Sequence, residues 1–490
     1  MKRREFIKWA GGSAALSFIA PSLFTGCSNK SGNSRLNQKP NIVFILIDTL
    51  RADRLGAYGY QQSASQAIDA VAAEGAVFEN VISPAPWTQP AMASLFSSTF
   101  PGVHKVVDYG LANRIKEGTQ KKIAVFDDRF VTLAEVLKQA GYETAAFNAN
   151  ILLGKEYGFA QGFDLYADRS VKRKSTRGDV LNSEALAWLK QRDTEKPFFL
   201  YMHYMDVHGS YYARDEFVQQ HVDKLGPVNN LTPLTPKEKN AMGYINGGFA
   251  RKAADKYPEL EKYREFWSAL YDAAITEMDY HIKSLVEGLK ELGLWDECYT
   301  MITADHGEEL CERGIWSHGL SLYHTELHVP LLLRWPGTIP AGQRIPTNTQ
   351  LIDIMPTLMD QLSLETVPGL QGRSLTSNIE GKQTARPVFS YAEAVKTGAP
   401  QFAAYLGQWK LLLKADPRQQ TFAAEYYDLK KDPSERVNLA EKHPAKVKQL
   451  SNAIQDQINT NLELGQQTQV ITNPMASEHY DELKSLGYVE

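Results

Sequence analysis

Residues 41–47 read NIVFILI, an uninterrupted apolar, β-branched run that stops at Asp48. Apolar and polar residues do not alternate, so neither face of this segment can be left to water. It is a strand to be covered on both sides, and that requirement is met in a parallel sheet sandwiched by helices. Further apolar runs at 144–147, 197–203 and 298–303 repeat the pattern. Between them lie helical periodicities: 130–140, and 266–292 with Leu270, Ile275, Met278, Ile282, Leu285 and Leu289 on one face. Strands alternating with helices predict an α/β fold, a mostly parallel central sheet flanked by helices.

The pattern changes after Pro336-Gly337. A helix is expected at 353–362, strand-like runs at 388–391 and 402–413, and a polar helix from His443 onward, together a smaller C-terminal α+β subdomain. The expected division is an export signal at 1–27, a linker at 28–38, the main α/β domain at 39–365, and the subdomain with its tail at 366–490. The polar stretch 215–263 reads as an insertion over the sheet edge. Its Gly247-Gly248 pair is loop punctuation, because no strand precedes it and no Lys-Ser/Thr follows as a phosphate-binding loop requires.

The first residues, MKRREFIKWAGGSAALSFIAPSLFTGC, have a charged start, a modest apolar stretch and a small-residue end. They read as an export signal, with Arg3-Arg4 of the twin-arginine type and Gly26-Cys27 resembling a lipoprotein processing site. A lipid anchor on Cys27 would leave a periplasmic or cell-surface body on a Ser/Asn/Gly/Lys tether. Ordinary cleavage or an uncleaved anchor remains open beside it. With a net charge of -4 the chain has no basic surplus, which argues against nucleic acid as a partner. Cys298 and Cys311 are expected as two free, partly buried thiols.

Two of the predicted strands end in acidic residues, Asp48 and Asp305-His306. Ligands of open α/β sheets bind at the carboxyl ends of strands, so these residues are expected in one crevice. Carboxylates gathered there repel unless a cation lies between them. Two Asp oxygens, an imidazole and a hydroxyl make a first shell for one divalent metal. His208 follows the third strand, with His203 and Asp206 close by, and three ionisable groups at the end of an apolar run are costly without partners. Trp316-Ser317-His318 and His324 add candidate acids. In PWTQPAMASLFSS, Thr88 stands at the start of a helix. It is either an N-cap or a nucleophile, and its own neighbourhood favours the cap.

The chain resembles the sulfatase family of the alkaline-phosphatase superfamily. The resemblance rests on LIDTLRADRLGAYGY, SPAPWTQPAMASLFSSTFPGVH, FFLYMHYMDVHGSY, ITADHGEELCERGIWSHGLSLYHTELHVPLLLRWPG, DIMPTLMDQL, YYDLKKDPSERVNL and LKSLGYVE, in the family's order. It implies a metal site of Asp48, Thr88, Asp305 and His306 for one divalent ion (Ca, Mn or Zn). It also implies catalytic roles for Thr88, as nucleophile, and for His208 and His318. The substrate class it implies is a sulfate or phosphate ester of a small molecule, glycan or lipid headgroup.

The departures from the family pattern bear on mechanism. Sulfatases carry Cys or Ser in a Cys-x-Pro-x-Arg signature and convert it to formylglycine. This chain has Thr88-Gln89-Pro90-Ala91-Met92, so no formylglycine is expected. Thr49 replaces a second aspartate. Ala149 and Ile151 stand near the places of a sulfate-holding lysine and histidine, a contact that Asn148 or Asn150 could replace in part. With threonine, a covalent intermediate must be cleaved by water or an alcohol, which shifts the expectation slightly toward phosphodiester or phospho-group transfer. The alternative is a catalytically silent glycan-binding surface lipoprotein, favoured by the lost signature arginine and opposed by the retained Asp48, Asp305, His306, His208 and His318.

Overall fold

Strand β1 (Asn41–Ile47) runs through the middle of a nine-stranded sheet, and every residue from Ile42 to Ile47 is fully buried. Each such aliphatic side chain contributes about 1.5–3 kcal/mol when removed from water, which is why this run is central and not at an edge. The computed structural model describes residues 39–107, 122–169, 177–209, 211, 213–225, 264–313, 316–382, 385–392, 399–416 and 421–474. The expected export signal, linker, Gly247-Gly248 pair and LKSLGYVE segment lie outside the described residues, as does most of the 215–263 insertion. Among the described residues no helix is long and apolar enough to cross a membrane.

The other strands of the sheet are β2 (Ala76–Ile82), β3 (Glu143–Asn148), β4 (Leu165–Asp168), β5 (Phe198–Tyr204), β6 (Cys298–Thr303), β7 (His328–Val329), β8 (Leu331–Arg334) and β9 (Gln343–Gln350). Their spatial order is β7-β2-β8-β6-β1-β5-β3-β4, with β9 paired to β2. Pairing is parallel for β1 with β5 and β6, β3 with β4 and β5, and β9 with β2, and antiparallel where β8 and β7 meet their neighbours. Register sets Leu46 of β1 opposite His203 on one side and Thr303 on the other. The three carboxyl ends therefore open at one level, immediately before Asp48 and Asp305.

Helices α1 (Gln66–Ala73), α2 (Thr88–Ser97), α3 (Leu133–Gln139), α4 (Gly178–Gln191), α5 (Arg264–Glu291) and α6 (Ile354–Gln361) accompany the sheet. α3 is shorter than the expected 130–140 because a capping box fixes its start: Thr132 accepts from the Glu135 N–H, and the Glu135 carboxylate takes the Thr132 N–H. Beyond the sheet lies a separate four-stranded antiparallel sheet, β10 (Val388–Ala392), β11 (Gln401–Leu406), β12 (Trp409–Asp416) and β13 (Thr421–Asp428), followed by α7 (Pro444–Leu464). The run expected at 402–413 is thus two strands folded at Gly407, which has a φ of 58°. Cys298 and Cys311 are not disulfide-bonded, and both are buried, not partly so.

Candidate functional site

Asp48 directly follows β1, Asp305 lies just past β6, and α2 begins at Thr88 beside them. One ligand atom from each of Asp48, Asp305 and His306 falls within 4.8 Å of the others, and all three side chains are completely buried. Each of the three is oriented by a bond that leaves one atom for the centre. Asp48 Oδ2 accepts from Asn150 Nδ2 at 2.6 Å and from His203 Nε2 at 3.1 Å, while Oδ1 is buried with no hydrogen-bond partner among the described residues. Asp305 Oδ1 accepts from the N–H groups of Thr49 at 3.3 Å and His306 at 2.9 Å, while its Oδ2 is buried with none among the described residues. His306 Nδ1 lies 2.9 Å from the Gly307 carbonyl. A carbonyl only accepts, so Nδ1 carries the proton and the Nε2 lone pair faces inward.

That lone pair meets Asp305 Oδ2 at 3.3 Å, Asp48 Oδ1 at 3.9 Å and Thr88 Oγ1 at 3.4 Å. Three electron-rich atoms facing one another in a buried space cost several kcal/mol unless a cation neutralises them. Charge in the pair is uneven. Burial works against ionisation of Asp48, but the His203 hydrogen bond and the neighbouring imidazoles outweigh it and hold the carboxyl below the ordinary aspartate value. Burial, and then the Asp48 charge, push Asp305 above the ordinary aspartate value. These orphaned oxygens and the inward imidazole fit a divalent metal, with a ligand set of single carboxylate oxygens, one nitrogen and the Thr88 hydroxyl.

Thr88 is not a cap. The flanking position of α2 is held by Trp87, whose backbone is extended, and no side chain caps the helix. Thr88 is the first helical residue, and its hydroxyl turns toward His306. Met92, where the signature arginine would stand, is fully buried in the apolar core. Backbone constraints surround the site. Thr49 adopts a left-handed φ of 60° and bonds its hydroxyl to the Asp48 carbonyl at 2.7 Å, a strained state tolerated where geometry matters. Gly307 has no room for a side chain, since a Cβ there would lie 2.1 Å from the Thr325 carbonyl oxygen.

His208 and His318 lie at the mouth of this centre. Their ring centroids are 5.1 Å apart, and those of His318 and His306 are 4.4 Å apart. Glu308 Oε1 is 3.2 Å from His318 Nδ1. The loop after His318 is held by Glu326, whose carboxylate accepts from the N–H groups of Gly319 at 2.7 Å and Ser321 at 3.0 Å.

The structure therefore brings Asp48, Thr88, Asp305, His306, His208 and His318 together. Two expected contributors lie elsewhere. Asp206 turns away to His281, with Oδ1 3.4 Å from Nε2, and His324 is buried against His328 with ring centroids 4.5 Å apart. His324 fails as an acid because burial, helped by the charge of His328, lowers its pKa well below the ordinary histidine value. Of the two asparagines considered, Asn150 reaches Asp48, while Asn148 holds the Asn150 backbone through bonds of 2.8 and 3.0 Å. Sequence reasoning missed the duties of His203 and Glu308. A histidine inside an otherwise apolar strand, and an acid two residues past His306, were the available signals.

A family model described as Sulfatase matches residues 40–364, and one described as N-sulphoglucosamine sulphohydrolase, C-terminal, matches residues 312–463. Arylsulfatase K of Mus musculus is 24% identical over 485 residues, covering 91% of this chain and 83% of that protein. The choline-sulfatase of Rhizobium meliloti (strain 1021) is 25% identical over 449 residues, with 82% and 83% covered. Among solved structures, the phosphonate monoester hydrolase of Agrobacterium radiobacter superposes with a TM-score of 0.67 at 20% identity, covering 86% of this chain and 96% of that one. A protein in complex with its substrate D-glucosamine-2-N, 6-O-disulfate does so with 0.66 at 20%, covering 88% and 98%.

Proposed function

The chain belongs to the sulfatase family, and on that premise we propose that it is an exported, lipid-anchored ester hydrolase or transferase in which the Thr88 hydroxyl is the nucleophile. The carrying observation is the Thr88 Oγ1, buried, free of any capping bond and 3.4 Å from the inward nitrogen of His306. Asp48 Oδ1, Asp305 Oδ2, His306 Nε2 and Thr88 Oγ1 would hold the divalent ion. When bound, such an ion lowers the pKa of a hydroxyl and neutralises charge on a transferring sulfuryl or phosphoryl group. The second oxygen of each aspartate is already engaged, so each carboxylate offers one donor atom. That set with an imidazole suits manganese or zinc better than calcium, which takes six to eight oxygens.

In this reading the Thr88 hydroxyl gives up its proton to water, its Oγ attacks sulfur or phosphorus, and the bond to the leaving oxygen breaks in line with it. His208 and His318 bind the non-bridging oxygens, and one of them delivers the proton to the departing oxygen. Glu308 fixes the ring of His318 by accepting a hydrogen bond from its Nδ1–H. The Thr88 ester is then cleaved by water or by an acceptor alcohol. Because threonine cannot supply the second hydroxyl of an aldehyde hydrate, phosphodiester or phospho-group transfer is favoured. The curated relatives support the second reading, hydrolysis of a sulfate ester. A silent binder has no use for the converging orphan oxygens.

The test is turnover of nitrophenyl sulfate, phosphate monoester, phosphodiester and phosphonate monoester by the full chain loaded with manganese, zinc or calcium, beside Thr88→Ala. The expected result is diester or phosphonate turnover, highest with manganese or zinc and lost in Thr88→Ala. No turnover with any ion would favour a silent binder.

A further inference from the structure

Three buried ionisable side chains, Asp206, Glu277 and His281, cluster beside the segment that carries His208 and take no part in the chemistry above. The His208 N–H donates to the Met205 carbonyl at 3.0 Å, so Met205–His208 is a β-turn with Asp206 as its first central residue. Where the Asp206 side chain is tied therefore sets the direction in which His208 leaves the sheet. Its Oδ1 accepts from the Gly178 N–H at 3.1 Å and lies 3.4 Å from His281 Nε2. The start of α4 is packed on that imidazole, for a Cβ at Gly178 would come within 2.5 Å of His281 Cδ2.

Glu277 stands one turn before His281 on α5, and its Oε1 lies 3.3 Å from the same Nε2. Its Oε2 accepts from the backbone N–H and the Nε–H of Arg214, each at 3.0 Å. One turn of α5 thus grips the His208 segment twice, before the histidine through Asp206 and after it at Arg214. The remaining charged and titratable neighbours come from four elements. Arg177, at the start of α4, lies 3.4 Å from Glu277 Oε1 and pairs with Asp179. Tyr280 of α5 packs on the His281 ring, Tyr204 of β5 bonds Asn182, whose amide donates to the His281 carbonyl, and the helix Asp215–Val222 brings Glu216 to Arg214 and His221 to Thr276. Only Asp206 and Glu277 form ion pairs with His281 among the described residues, and a charged imidazole between them cancels their repulsion.

We propose that His281 and Glu277 are positioning residues for His208: the charged imidazole holds Asp206, and with it the turn that presents His208 to the transferring group. This rests on the reading of His208 as a ligand of that group's oxygens and adds what aims it. Burial alone would lower the His281 pKa, but Asp206 and Glu277 raise it to about 9. The clamp is therefore closed at neutral pH and opens as pH rises through 9.

The test uses the full chain and whichever nitrophenyl ester it turns over when loaded with metal. In His281→Gln at pH 7.5, kcat is expected to fall about tenfold with KM changed less than about threefold, short of the roughly 10²- to 10³-fold for losing such a donor outright. The ratio of parent to variant should close toward one above pH 9, where the parent loses the same charge. Asp206→Asn keeps a good turn residue and removes the carboxylate, so it should match His281→Gln, and the double variant should be no worse than either. It carries the same test should His281→Gln fail to fold, which a thermal melt decides. A readout apart from turnover uses nitrogen-15 histidine. The His208 ring signals, identified by their loss in His208→Gln, should shift in both variants even if the chain turns over no ester, so a failed ester-transfer reading is told apart from a failed clamp. Unchanged kcat in both folded variants, a parent-to-variant ratio that stays constant through pH 9, additive losses in the double variant, or unmoved His208 signals would each overturn the proposal.

Discussion

His203 sits in the sheet next to β1, and its removal gives a measure of how the site is built. Its Nε2 lies 3.1 Å from Asp48 Oδ2 and its Nδ1 lies 2.8 Å from the Tyr201 hydroxyl. Asp48 is held as a carboxylate, so it can only accept. Nε2 therefore donates and Nδ1 accepts from Tyr201, which fixes one tautomer. Asn150 is the other donor to the same oxygen. Together they aim the remaining oxygen, Oδ1, at the metal position. His203→Ala deletes one charge-assisted bond, worth about 1.5–3 kcal/mol. At about 1.4 kcal/mol per factor of ten, metal affinity should fall about 10- to 100-fold, the range usual for residues that orient ligands. Tyr201→Phe removes only the bond that fixes the ring, and should cost less, about threefold. The assay is titration of manganese or zinc against a chelator of known affinity, with a thermal melt of each variant to confirm folding. Affinity unchanged in His203→Ala, or a larger loss in Tyr201→Phe, would refute the reasoning.

Other consequences follow from buried charge. Asp305→Asn removes the like charge opposite Asp48, so it should raise the melting temperature of metal-stripped protein yet abolish the rise on adding metal, which for the parent is worth about 2.7 kcal/mol at a hundredfold excess over Kd. His281 is buried, which alone would lower its pKa, but the carboxylates of Asp206 and Glu277 prevail and raise it to about 9. Its stabilisation is complete below the unfolded value of 6.5 and is lost as pH rises through 9, so stability should drop by about 3 kcal/mol across that window, and His281→Gln should flatten the drop in denaturant titrations. Lys410, fully buried with its Nζ 2.5 Å from Glu435 Oε1, forms an ion pair under the second sheet. Lys410→Met strands that carboxylate and should cost about 3–5 kcal/mol, partly recovered by adding Glu435→Gln.

The strands that could be read in the sequence are those buried on both faces. β1, β5 and β6 are mainly apolar and buried, and the ends of β1 and β6 located Asp48 and Asp305. β2 and β9 are different. AVFENVI has two half-exposed positions, and QRIPTNTQ is polar and contains a proline. Their pairing depends on distant segments, so local pattern carries little of it. The same holds within the site. Asp48, Asp305 and His306 are announced by strand ends, whereas His203 reaches Asp48 only through the sheet register and Asn150 only through the turn after β3. Asp206 misled because its partner, His281, comes from α5, far along the chain. Thr88 could not be resolved locally, because a threonine that caps a helix and one that begins it look alike until Trp87 is seen to hold the flanking position.

The central claim is that the Thr88 hydroxyl forms a covalent bond to the transferred group. Rapid quenching of the metal-loaded full chain during turnover of a nitrophenyl ester, followed by mass spectrometry of the peptide containing Thr88, tests it most directly. A sulfuryl or phosphoryl group carried on Thr88, appearing with the first burst of nitrophenol and missing in Thr88→Ala, is the predicted result. Steady turnover with an unmodified Thr88, or equal turnover by Thr88→Ala, would contradict it.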